Sequence, residues 1–159
     1  MRVLLEGLLP RLFPNLETLC VHHEGKQDLE RSIPRKLRAW REPGVRFCII
    51  RDKDGANCRT LKNELMALCR QGGREDVLVR IACQELEAWY FGAPASLAEA
   101  FRRADLGSIG DKARFRDPDS IVQPARALME IVEEFQKVSG ARLMARLLTG
   151  RPRRPGLRD

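Results

Sequence analysis

The residue pattern predicts a layered α/β domain: a mostly parallel sheet flanked by helices and followed by a helical C-terminal part. Two observations carry this expectation. Segments with helical apolar spacing alternate with short apolar runs, in the order helix, strand, helix, strand, helix, strand. Two of those runs, Val45–Ile50 and Val77–Ile81, are almost unbroken by polar residues, the mark of strands covered on both faces. A chain of 159 residues suits one domain and can bury a core without disulfides or metals. We therefore expect a single domain over 1–148 and a disordered basic tail over 149–159.

The elements are expected as follows. From Val3 to Leu12, Leu4, Leu5, Leu8, Leu9 and Leu12 fall at helical steps, and Pro14 closes the segment. Leu16–Val21 is a short apolar run with a β-branched end, hence a strand. His22 to Lys26 form a polar loop. Between Gln27 and Arg41, Leu29, Ile33, Leu37 and Trp40 define a helix face; Pro34 predicts a kink or a restart near Ser32. Glu42-Pro43-Gly44 is a turn before the Val45–Ile50 strand. Asn57 can cap the next helix, where Cys58, Leu61, Leu65 and Leu68 recur at helical steps, and Gly72-Gly73 stops it. After the Val77–Ile81 strand, helices are expected at Gln84–Phe91, Ser96–Arg103 and Pro124–Val138. The charged segment Gly107–Ser120 reads as a loop between them. Gly150–Asp159, rich in Arg, Pro and Gly, reads as disordered.

Composition narrows the class. Five cysteines, an odd number without C-x-x-C spacing, sit mostly beside aliphatic residues and read as reduced core thiols of a cytoplasmic protein. That pattern argues against a disulfide frame or a zinc site using His22 and His23. Apolar runs fall short of a membrane span, and Glu6 and Arg11 interrupt the first one, so neither a membrane partner nor a signal peptide is expected. The net charge of +7 is uneven: after Phe135 there are seven Lys or Arg and one acid. A basic surface attracts phosphate polyanions, so DNA or RNA is an expected partner, with simple solvation the alternative. The same two readings hold for Arg31, Arg35, Lys36 and Arg38 on the second helix.

Asp52 and Asp54 follow a buried strand. Ligands of open parallel sheets gather at the carboxyl ends of strands, and alternate residues of an extended chain point the same way. Both carboxylates would then converge, and hard oxygen donors with room for water suit magnesium or manganese. The competing reading is an ordinary strand-ending Asp-Gly turn. A calcium loop is excluded because the glutamate it needs beyond the glycine is missing. A second constellation runs from Arg80 to Tyr90. Read as a helix, it puts Ala82, Leu86, Trp89 and Tyr90 on an apolar stripe, with Glu85 bordering that stripe more closely than Glu87. Both are candidate catalytic groups, Glu85 also a metal ligand; capping or surface roles are the alternative. His23 could shuttle protons near neutral pH and Lys26 could hold a phosphate, or their loop is structural.

His23-Glu24-Gly25-Lys26-Gln27-Asp28-Leu29, Arg51-Asp52-Lys53-Asp54 and Arg80 through Gly92, above all Glu-Leu-Glu-Ala-Trp-Tyr, resemble the bacterial domain of unknown function 4276 family. Lys112 to Asp119 and Gln136 to Arg142 extend the likeness to about Leu147. The resemblance implies a three-layer TOPRIM-like (Rossmann-like) fold, as in topoisomerases, primases and some ATPase-associated nucleases. It implies magnesium-dependent phosphodiester cleavage in phage defence beside an AAA- or ABC-type ATPase, with Asp52 and Asp54 matching the metal pair. Three departures stand out. The usual first strand with its acidic residue is not found, since Glu6 lies on the helix that follows it. Ala93 and Asn57 replace common acids, and the end after Leu147 is atypical. A truncated or degenerate member is then expected, a sheet with bare edges that favours a homodimer. Its alternative function is a non-catalytic module binding nucleic acid or an ATPase.

Overall fold

The computed structural model describes residues 1–149; the expected disordered stretch Gly150–Asp159 lies outside the described residues. The elements are α1 (Arg2–Leu12), α2 (Lys26–Ala39), β1 (Cys48–Asp52), α3 (Cys58–Gln71), β2 (Leu78–Ala82), α4 (Ala88–Phe91), α5 (Pro94–Ala100), α6 (Pro124–Ile131) and α7 (Lys137–Leu147). Three 3-10 segments, Ala104–Asp111, Ala113–Phe115 and Pro118–Ser120, occupy the expected loop. The chain is thus α/β, with helices flanking a small parallel sheet. It forms two compact units. One, the inserted unit, is His22–Cys83; the other, the flanking unit, joins Met1–Val21 to residues 84–149.

In the inserted unit β1 and β2 pair in parallel, from Cys48 opposite Leu78 to Asp52 opposite Ala82, and α3 makes the crossover that parallel strands require. Ile33 and Leu37 of α2, Leu61, Leu65 and Cys69 of α3, and Ile49 and Val79 of the strands close the core. Burying a side chain such as Leu65 contributes roughly 2 kcal/mol. Asn57 caps α3 as its side chain predicts, accepting from the amides of Arg59 and Thr60 at 3.0 and 3.1 Å. Gly72 ends the helix. A Cβ there would lie 2.9 Å from the Leu37 Cβ and 3.1 Å from the Pro34 Cα, so only glycine lets α2 approach this closely.

Three expectations need correction here. The first strand begins three residues later than the apolar run suggests, because pairing with β2 sets its limits; the ladder opens where the Leu78 amide donates to the Phe47 carbonyl. Nor do the described residues cover both faces: Ile49 and Val79 are buried, whereas Cys48, Leu78 and Arg80 are exposed. Finally, α2 runs through Pro34 without a restart. The Ser32 hydroxyl donates back to the Leu29 carbonyl at 2.9 Å instead of capping a new helix, and buried Ile33 and Leu37 hold the turn that Pro34 weakens.

The flanking unit is built on α1 and α7. Gly7 allows their contact, since a Cβ there would meet the Ala145 Cβ at 2.8 Å. The Arg11 guanidinium donates to the carbonyls of Ala145 and Leu148 at 2.6 and 3.3 Å, satisfying groups that the end of α7 leaves open. Phe91 stacks on Phe115 with ring centroids 5.0 Å apart. Four sequence expectations fail in this unit. Leu16–Val21 is not a strand: it finds no ladder partner among the described residues, and Leu16 and Leu19 are 58% and 74% exposed. The helix expected from Gln84 shrinks to Ala88–Phe91, because Gln84 takes φ +61, a left-handed conformation incompatible with helix. The helix expected at Ser96–Arg103 starts at Pro94 and ends at Ala100, before Arg102 at φ +52. Pro124–Val138 splits into α6 and α7 because Val132, fully buried, turns extended.

Candidate functional site

Asp52 is the last residue of β1, at the carboxyl end of the parallel pair. Its neighbour Arg51 reaches α2, where it pairs with Glu30 at 2.6 Å while only 10% exposed. The Asp52 side chain is partly buried, with Oδ1 shielded from solvent. The Lys53 amide adds one more rung, donating to the Ala82 carbonyl at 3.0 Å. Extension ends there. Asp54 and Gly55 take φ +48 and +77, and the Ala56 amide closes the turn on the Lys53 carbonyl at 3.0 Å. The premise that an extended chain points both carboxylates the same way therefore fails. Asp54 is exposed in a tight turn, placed by its tolerance of left-handed backbone and by Gly55.

Glu85 and Glu87 belong to the flanking unit. Glu85 Oε2 accepts from the Ala125 amide in the first turn of α6 at 3.0 Å, and Oε1 accepts from Lys137 Nζ of α7 at 3.2 Å. Within the flanking unit this carboxylate ties its own segment to α6 and α7 and sits where an α6 amide needs an acceptor. Glu87 is buried, only 8% exposed, beside Tyr90, which is fully buried. Burial, reinforced by the Glu87 charge, pushes the Tyr90 phenol above its ordinary pKa.

His23 and Lys26 stand at the start of α2. His23 Nδ1 lies 3.0 Å from Asp28 Oδ2, and the Ser32 hydroxyl lies 3.3 and 3.2 Å from Nδ1 and Nε2. The Glu24 amide also donates to Asp28 Oδ2 at 3.1 Å. That amide bond first, and His23 second, hold the Asp28 carboxyl below its ordinary pKa. His23 is thus an orienting partner of the helix start. Lys26, the first residue of α2, is exposed.

Among the described residues, no three His, Cys, Asp or Glu side chains gather in a group that could hold a metal. Magnesium commonly takes only one or two protein carboxylates, completing its shell with water and phosphate, so Asp52 and Asp54 match its donor chemistry as a partial set. Other residues escaped the sequence reading: Arg41, Arg70 and Arg74 line a cleft with Arg35 and Arg38 at the ends of α2 and α3. The available signal was arginine at the last turn of one helix and on both sides of Gly72-Gly73 in the next.

Fold and site together define a helix-rich α/β protein whose parallel sheet ends on an aspartate before an Asp-Gly turn. The family model described as "Domain of unknown function (DUF4276)" matches residues 1–149, and the chain belongs to that family. No curated protein and no solved structure matches the chain. No described helix is long and apolar enough to cross a membrane.

Proposed function

We propose that the protein cleaves phosphodiester bonds in DNA or RNA with magnesium or manganese, as a TOPRIM-like member of its family. One observation carries the reading: Asp52 ends β1 at the carboxyl end of a parallel pair, the place where such sheets bind ligands, and Asp54 follows in the next turn. Asp52 and Asp54 would hold the cation. When bound, it would supply charge neutralisation at the phosphate and a more acidic water. Glu85 would serve as acid, base or further ligand only after releasing the Ala125 amide and Lys137, and Glu87 is a second acid in the same segment. His23, oriented by Asp28, can relay a proton, and exposed Lys26 can meet a phosphate. The TOPRIM resemblance supports a bacterial, cytoplasmic setting in phage defence, beside an AAA- or ABC-type ATPase and with a homodimer as the assembled form.

The engagement of both Glu85 oxygens within the fold favours a second reading, a non-catalytic module that binds nucleic acid or an ATPase. Cleavage of labelled DNA and RNA, with magnesium and with EDTA, separates the two. The Asp52→Ala variant should lose all metal-dependent cleavage and keep the wild-type circular dichroism spectrum. Cleavage that survives this change rejects the Asp52 site; a wild-type chain that binds but never cleaves selects the module.

A further inference from the structure

We infer that the paired C-terminal ends of α2 and α3 form a second phosphate site, an anchor for the backbone of single-stranded nucleic acid. A cleft of about 650 Å³ against α2 adjoins another of about 470 Å³ that continues to the end of α3; Arg38, Arg41 and Gln71 line both. Arg35, Arg38, Arg41, Arg70 and Arg74 face this trough, and its lining contains no Asp or Glu. Two helix C-termini end here, each carrying about half a negative charge, so together they offset roughly one of the five guanidiniums.

Apart from Arg35, the arginines divide into two pairs. Arg38 donates to the Gln71 carbonyl at 2.8 Å, and Arg74 pairs with Asp76 at 3.0 Å while lying 4.9 Å from the Phe47 ring centroid. These two are fixed by the fold and shape the walls. Arg41 and Arg70 are exposed, and their guanidinium groups make no hydrogen bond or ion pair among the described residues. Solvation alone does not explain arginines drawn from two helix ends onto one trough whose lining holds no acid and whose only acidic partner is Asp76, bonded to Arg74. A planar guanidinium matches phosphate in a forked geometry, and successive guanidiniums along a trough suit a repeating anion better than an isolated one. Half-buried Trp40, packed edge-on with Phe47 at 5.8 Å, adds an aromatic wall of the kind that accompanies basic grooves for unpaired strands.

The site is distinct from the aspartate pair. Chain direction puts the trough at the amino ends of β1 and β2, whereas Asp52 closes their carboxyl end, a strand length or roughly 15 Å away. Only the class of ligand is shared with the cleavage reading, and a measurement without metal keeps the two apart.

The test is fluorescence anisotropy of a labelled 20-nucleotide single strand of mixed sequence, with the full chain, in EDTA and over a salt series. Wild type should bind, with affinity falling steeply as salt rises. Arg41→Ala/Arg70→Ala should bind at least ten-fold more weakly, its log–log salt slope shallower by about 1.4, two contacts at about 0.7 each, and its circular dichroism spectrum unchanged. Arg142→Ala/Arg146→Ala on α7 should stay within two-fold of wild type. The anchor is overturned if wild type does not bind, if Arg41→Ala/Arg70→Ala binds as well as wild type, or if the α7 variant loses as much. Equal competition by polyglutamate or by free nucleoside triphosphate would also overturn it.

Discussion

The inserted and flanking units solve the problem of burial differently. Eight buried hydrophobic side chains close the core of the inserted unit, against nineteen in the flanking unit. At roughly 2 kcal/mol each, the flanking unit has more than twice the gross burial. It also holds the fully buried aromatics Tyr90 and Phe91 and the Phe101–Phe135 contact. The inserted unit spends its surface otherwise: an aspartate at a strand end, a histidine bonded to a helix start and an arginine trough. The proposed metal pair and the arginine trough thus fall on the less heavily packed unit, with Glu85 and Glu87 on the other, in keeping with the general cost of functional polar surface to stability.

The strongest way to break this contrast is to hollow out each core. Phe91→Ala should cost about 4 kcal/mol and Leu65→Ala about 3 kcal/mol. Hydrogen exchange read by mass spectrometry should show each loss of protection concentrated in the unit that carries the change. Uniform loss across both units in either variant would show that the two do not open separately. A smaller effect sharpens the difference between local and distant capping. Glu85→Ala leaves the Ala125 amide without its acceptor and should cost about 2 kcal/mol, whereas Asn57→Ala should cost about 1 kcal/mol in urea denaturation. The reverse order would mean that the flanking unit does not depend on the Glu85 tie.

The smallest effect is a pH dependence. Asp28 titrates below the ordinary aspartate value of 3.8, chiefly because it accepts the Glu24 amide and then His23. A lowered folded-state value means its contribution is fully present above the unfolded value and fades as pH falls through the folded one. Asp28→Asn should therefore flatten the acid limb of the stability curve below about pH 4, with the loss of protection at the start of α2. Carbon-detected NMR titration of Asp28 at its ordinary value would refute the assignment.

Local signals were legible and distant ones were not. Asn57 declared the start of α3 because its cap lies within three residues, and the apolar steps of α1, α2 and α3 emerged with ends shifted by a few positions at most. Parallel pairing was inferred from the alternation of elements and is present in β1 and β2. Leu16–Val21 misled because a strand exists only where a partner supplies the ladder, and composition says nothing of the partner. The Glu85 partners stand 40 and 52 positions away, so its tie to α6 and α7 leaves no local trace. At the aspartate pair, Asp-Gly offered two readings. The backbone resolves the conformation as a turn, with left-handed φ at both residues.

The discontinuity of the flanking unit has a consequence during synthesis. Arg11 on α1 waits for a carbonyl 134 residues downstream, and Leu4 and Leu8 wait with it for α7. At cellular elongation rates that delay is on the order of 10 s, and closing so long a loop costs about 4 kcal/mol of chain entropy. Until α7 emerges, Leu4 and Leu8 of α1 lack the α7 side chains that share their core. Early collapse of the inserted segment would shorten the span to be closed, making the smaller core the natural first step on the ribosome.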